Sequence, residues 1–212
     1  MSTAVIFTIG FAAQLLFSAR TLLQWIKSEK AKMVVSPSSY WVLSVIGSWL
    51  FFIYGYLRND FSIILGQFIS YYIYLWNLNL KGLWKQLHLP VRLVLISTPF
   101  IAAGFMLKDS SAFTESFLQN KDIPLWLIIF GSAGQVTFTL RFVYQWFYSI
   151  ARHESSLPRG FWIISLIGSG SIIAYGILRH DPVLILGQSF GFVAYFRNLV
   201  IGYRSRKLQT IS

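Results

Sequence analysis

Apolar residues along this chain fall into seven runs separated by short polar breaks, at roughly 4–26, 40–57, 61–80, 89–107, 124–149, 161–178 and 182–203. Each run approaches the ~20 residues that an α-helix needs to cross a bilayer, and the breaks leave no stretch for a soluble catalytic domain. The pattern predicts an all-α integral membrane protein with seven transmembrane helices. Few polar residues interrupt the runs, and those that do recur. Residues 10–77 and 131–198 align without a gap, with 25 of 68 positions identical. The shared residues include Gln14/Gln135, Arg20/Arg141, Gln24/Gln145, Ser44/Ser165, Gly47-Ser48/Gly168-Ser169, Gly66-Gln67/Gly187-Gln188, Tyr74/Tyr195 and Asn77/Asn198.

A repeat of this length sets the architecture. Three runs fall in each copy and one, 89–107, lies between them. Three plus one is an even number, so the second copy enters the membrane in the same direction as the first. The expectation is two parallel three-helix repeats joined by a linker helix, a 3+1+3 arrangement about an axis along the membrane normal. The divisions follow: 1–88 for the first repeat, 89–123 for the linker helix and an acidic external loop, and 124–212 for the second repeat and a basic tail. No short basic stretch with a small-residue cleavage site opens the chain, so the first run is expected to stay.

Charge refines the picture. Only 12% of residues are charged, yet the net charge is +11, and the mean hydropathy is +0.59. Following the chain through seven spans places eleven basic residues on one side, from Lys27, Lys30 and Lys32 to Arg204, Arg206 and Lys207. Four fall on the other: Arg58, Lys108, Lys121 and Arg179. The positive-inside rule then puts the N-terminus outside and the C-terminus in the cytoplasm. The basic excess reads as topology and attraction to anionic lipid rather than nucleic-acid binding.

Candidate chemistry is confined to a few positions. Arg20 lies roughly 10 Å inside the cytoplasmic end near Lys27, and shares a helix face with Gln24. Arg141 and Gln145 repeat the pair. A charge at this depth either snorkels to the interface or faces a cavity that holds an anion, and no acidic residue within either span pairs with it. Gln67, Gln188, Asn77 and Asn198 must bond across helices or line a cavity. Arg58-Asn59-Asp60 and Arg179-His180-Asp181 are tight turns: the arginines complement helix C-termini and the aspartates cap the next helices, or the group gates an entrance. Trp25, Trp41, Trp146 and Trp162 read as an aromatic belt at the interface. The copies also differ, with Trp76 where the second has Arg197, so a cavity between them is expected to be lopsided. There is no cysteine, the three histidines lie at span ends, and no carboxylate pair or nucleophile–base pair is evident. Nothing in the sequence supports catalysis, a metal or a cofactor.

The twice-repeated pattern Gln-x5-Arg-x3-Gln-Trp-x2-Ser, Pro-x3-Trp-x2-Ser-x2-Gly-Ser and Tyr-x3-Arg-x-Asp-x5-Gly-Gln, with a closing Tyr-x2-Asn, resembles the lipid A biosynthesis N-terminal domain family. Tyr195-Phe196-Arg197-Asn198-Leu199 resembles the family's ending, from which the first copy departs at Trp76. The family is grouped with PQ-loop and sugar-transporting SWEET proteins, although no Pro-Gln dipeptide occurs here. Its name comes from fusions to lipid-A-disaccharide synthase, an activity for which this chain has no room. The resemblance implies a bacterial inner-membrane carrier or flippase for a polyprenyl-phosphate-linked sugar or related glycolipid. Arg20, Arg141 and Arg197 would hold the phosphate. Gln14, Gln24, Gln67, Gln135, Gln145, Gln188, Asn77 and Asn198 would line its path and meet sugar hydroxyls. The alternative is a non-catalytic module that docks or feeds a membrane glycosyltransferase through its basic loops and tail.

Overall fold

The computed structural model describes residues 3–57, 61–107, 124–180 and 182–211. Within them the chain forms α1 (Thr3–Ala31), α2 (Ser38–Leu57), α3 (Phe61–Leu80), the short α4 (Leu83–Gln86), α5 (Leu89–Leu107), α6 (Leu125–Arg152), α7 (Arg159–Leu178) and α8 (Pro182–Ile211). Among the described residues there is no strand. Stretches long and apolar enough to cross a membrane occur in α1, α2, α6, α7 and α8, and α5 carries a shorter one, Leu89–Ile101.

The helix ends follow from local chemistry. α1 stops at Lys32 and α6 stops at His153, equivalent positions in the two copies, and both take left-handed backbone with φ of 55° and 51°. Turning the chain there allows the His153 N–H to return to the Ile150 carbonyl, closing the orphan end. Pro37 and Pro158 then precede α2 and α7, and their carbonyls accept the Tyr40 and Phe161 amides at 3.0 Å. α4 is an element the hydropathy pattern does not reveal. Gly82 enters it at φ 76°, and Arg92 donates to the Lys85 and Leu87 carbonyls at 2.7 and 2.8 Å, satisfying groups its C-terminus leaves open.

Six long helices close into a ring: α1 packs on α2, α2 on α3, α3 on α6, α6 on α7, α7 on α8, and α8 back on α1. The first and third helices of each copy therefore meet those of the other copy along two seams, α1–α8 and α3–α6. Glycines set the spacing inside each copy. A Cβ on Gly10 would lie 2.7 Å from the Tyr54 ring, and one on its equivalent Gly131 would lie 2.6 Å from Tyr175.

α5 packs outside the ring on α3. Pro99 lies within it and leaves the Leu95 carbonyl without its usual amide partner. The Tyr71 hydroxyl takes that place at 2.8 Å, and Tyr72 donates to Ile96 O at 3.0 Å.

The ring encloses an aromatic core of Tyr40, Trp41, Tyr74, Phe142, Phe161, Trp162 and Tyr195. This corrects the aromatic-belt expectation for two of its four tryptophans. Trp41 and Trp162 are 0% and 1% exposed; the α1–α2 and α6–α7 loops come back across the end of the ring and cover them. Trp41 Nε1 donates to Ser36 Oγ at 3.0 Å. The equivalent Trp162 Nε1 has no partner, because Leu157 replaces the serine. Trp25 and Trp146 are only partly buried.

Candidate functional site

A cavity of about 80 Å³ lies inside the ring where the copies meet. At ~10–15 Å³ per enclosed water, it has room for a few waters or one compact ionic group. Equivalent residues line it from both copies: Gln14 and Gln135, Phe17 and Phe138, Arg20 and Arg141, Gln67 and Gln188, Tyr74 and Tyr195. Glycine lets the glutamines approach. A Cβ on Gly187 would be 3.1 Å from Gln14 Oε1, and one on Gly66 would be 3.1 Å from Thr139 Oγ1 and 3.7 Å from Gln135 Nε2. Each glutamine thus rests against a helix of the other copy. Gln67 is fixed by Ser48, whose hydroxyl donates to its Oε1 at 3.0 Å.

Arg20 and Arg141 are each 3% exposed, which rules out snorkelling as their account. Both guanidiniums sit in aromatic cages. The Arg20 carbon lies 4.5 Å from the Phe17 ring centre, 5.0 Å from Tyr40 and 5.4 Å from Tyr74. Arg141 repeats this with Phe138 at 3.3 Å, Phe161 at 5.7 Å and Tyr195 at 5.4 Å. Phe142 serves both, 5.4 Å from Arg20 and 4.6 Å from Arg141; its equivalent in the first copy is Thr21. Arg20 Nη1 donates to Ser44 Oγ at 2.6 Å, and Arg141 Nη1 donates to Tyr195 at 3.3 Å. The Nε–H of each arginine has no partner in the protein. Among the described residues lining the cavity there is no Asp, Glu or His. Ring faces attract a cation by about 0.5–2 kcal/mol each, whereas desolvating an ion costs several. The cavity therefore presents two cationic donors suited to an oxyanion.

Gln24, Gln145, Asn77 and Asn198 lie elsewhere. All four are fully buried and clasp the seams near the loop-covered end. Gln145 Nε2 donates to Asn77 Oδ1 at 3.0 Å, and Asn77 Nδ2 returns a bond to Gln145 Oε1 at 3.2 Å. Ser155 also donates to Asn77 Oδ1 at 2.6 Å. Across the other seam Gln24 Nε2 donates to Asn198 Oδ1 at 2.8 Å. The same glutamine nitrogens hold the loops, at Val35 O (3.2 Å) and Ser156 O (3.1 Å). The Ser36 and Ser155 hydroxyls, one from each loop, are 3.2 Å apart.

Arg197 also stands away from the cavity, paired with Glu29 of α1 and contacting its Oε2 at 3.1 Å. Arg179 is exposed at the end of α7. Arg58, Asp60 and Asp181 lie outside the described residues. Reading the sequence for shared polar residues misses the cages, above all Phe142. The identity of Tyr74 and Tyr195 was an available signal; the Thr21/Phe142 mismatch was not.

Comparison with known proteins agrees with this duplicated frame. The family model for the Lipid A Biosynthesis N-terminal domain matches twice, at residues 9–79 and 130–200. The chain is 30% identical over 213 residues to a lipid-A-disaccharide synthase of Chlamydia felis, and 31% identical over 214 residues to that of Chlamydia caviae. Each alignment covers 96% of this chain but 34% of the relative, so the chain spans about a third of the length of these proteins. No solved structure matches it. With both copies matched and the relatives aligned across nearly its full length, the chain belongs to the lipid A biosynthesis N-terminal domain family.

Proposed function

We propose that this chain is a multi-pass carrier, in the inner membrane of a bacterium, for a phosphate-bearing lipid-linked sugar or related glycolipid of lipid A and envelope biogenesis. In this reading α3 and α5 also cross the membrane, giving seven spans in a 3+1+3 order akin to PQ-loop and SWEET proteins. The N-terminus lies outside and the C-terminus in the cytoplasm. Residues 1–88 and 124–212 act as the two rocking units, and 89–123 joins them.

One observation carries the reading: two buried arginines, each with a free Nε–H, line one cavity between the copies. Arg20 and Arg141 hold the phosphate. Gln14, Gln67, Gln135 and Gln188 contact the sugar or its linkage, while the acyl or prenyl chain stays in the lipid. Gln24, Gln145, Asn77 and Asn198 act as the closed gate on the loop side rather than as ligands, and Arg197 acts at the seam. The cavity is smaller than such a headgroup, so the ligand enters after the seams part.

The test uses purified chain in vesicles with a fluorescent prenyl-phosphate sugar in the outer leaflet. Arg20→Gln and Arg141→Gln are each expected to slow crossing at least about tenfold, the scale of one lost charged hydrogen bond. Wild-type rates in both variants, with unchanged circular dichroism, would sink the proposal.

A second reading has its own support. The relatives bear the name lipid-A-disaccharide synthase and are about three times as long. The chain would then dock or feed a glycosyltransferase through its basic end, around Arg204 on α8. Stoichiometric recovery of such an enzyme after cross-linking in native membranes would favour it.

A further inference from the structure

We infer that the central cavity works by obligate exchange, one phosphate-bearing anion leaving only as another returns; this rests on the carrier function proposed above. Arg20 and Arg141 face the same Phe142 ring at 5.4 and 4.6 Å, and both line a cavity of about 80 Å³. Neither can shed its proton at any physiological pH. A buried lysine or histidine could neutralise itself while unloaded, but these two side chains cannot. No carboxylate or histidine among the described lining residues offsets them. The cavity therefore holds two positive charges throughout the cycle.

A rocking carrier passes through a state shut from both sides. In that state the two guanidiniums lose water, repel each other at low dielectric, and recover only part of the loss from their aromatic cages. An oxyanion in the cavity supplies acceptors that the protein around the two arginines lacks, each Nε–H being buried without a partner. The loaded protein crosses readily and the unloaded one waits. The return step then needs its own anion. Arginine's planar fork matches an oxyanion and not a chloride; since the outbound ligand of the proposed carrier presents a phosphate, the returning partner is a phosphate group too, either free phosphate or a second lipid headgroup.

The experiment uses the full chain in vesicles of digalactosyldiacylglycerol, a bilayer lipid without phosphate, with fluorescent prenyl phosphate in the outer leaflet and its crossing followed by loss of dithionite quenching. Three preparations are compared: chloride in the lumen, inorganic phosphate at equal ionic strength, and chloride with unlabelled prenyl phosphate in the inner leaflet. Exchange predicts that phosphate or inner-leaflet prenyl phosphate speeds crossing about tenfold over chloride, within the usual range of coupling, and the arm that responds identifies the partner. Equal rates in all three overturn exchange and leave the carrier reading standing. If the lipid does not cross at all, the carrier reading fails, and radiolabelled inorganic phosphate decides the rest. Uptake that requires lumenal phosphate upholds exchange, whereas no uptake, or uptake indifferent to the lumen, overturns it.

Discussion

The two seams between the copies use equivalent positions and close in different ways. At α3–α6, Asn77 and Gln145 exchange two hydrogen bonds, Ser155 adds a third, and Trp76 packs edge-on against Trp146 with ring centres 6.3 Å apart. At α1–α8, Asn198 receives one bond from Gln24, whose Oε1 is left without a partner. The places of Trp76 and Ile150 are taken there by Arg197 and Glu29, a partly exposed ion pair that Trp25 Nε1 supports at 3.0 Å. The first seam is held by amide bonds and ring contacts and is nearly saturated with them. The other leaves a buried acceptor open and relies on a pair that water and salt weaken. A motion that parts the copies should begin at α1–α8.

The contrast is open to direct attack, and the largest effect is expected where the bonds are densest. Asn77→Ala strips three cross-seam bonds and leaves Gln145 and Ser155 buried without them, which should cost about 2–3 kcal/mol of unfolding free energy in detergent. Asn198→Ala should cost about 1 kcal/mol. The reverse order would dissolve the distinction between the seams. Next come the glycines inside each copy. A Cβ on Gly168 would lie 2.7 Å from the Phe138 backbone, so Gly168→Ala must push α6 from α7 at about 1–3 kcal/mol. At the equivalent Gly47 the obstacle is the edge of the Phe17 ring at 2.8 Å. A ring can turn, and alanine's helix preference returns about 1 kcal/mol, so Gly47→Ala should melt close to wild type. The smallest effect belongs to the ion pair. Added salt is expected to weaken this pair, so Glu29→Gln should make the melting temperature less sensitive to salt than in the wild type, while Trp76→Phe should leave that sensitivity intact. A slope unchanged by Glu29→Gln would place the salt sensitivity elsewhere.

Helices and duplication were legible because both are written in local periodicity and in identities at one constant spacing. The buried arginines were legible too, since a charge deep in an apolar run always demands an explanation. Which polar residues meet was not. Gln24 and Asn198 are far apart in sequence and belong to different copies, and only the closed ring shows that they bond each other. Trp41 and Trp162 look interfacial in the sequence because a tryptophan beside a loop normally marks the interface, and nothing local tells that the loop folds back over it. Phe142 lies where the copies differ, so identities at a constant spacing do not mark it.

That difference bears on how such a molecule could arise. An assembly of two identical chains must place the same residue twice about its axis. A phenylalanine placed before both arginines would then have to be there twice. Thr21 takes up less room at the equivalent position, a difference that two copies of one chain could not hold and a joined pair can. Duplication within one chain frees the centre of the molecule from symmetry, so the two sides of its cavity differ.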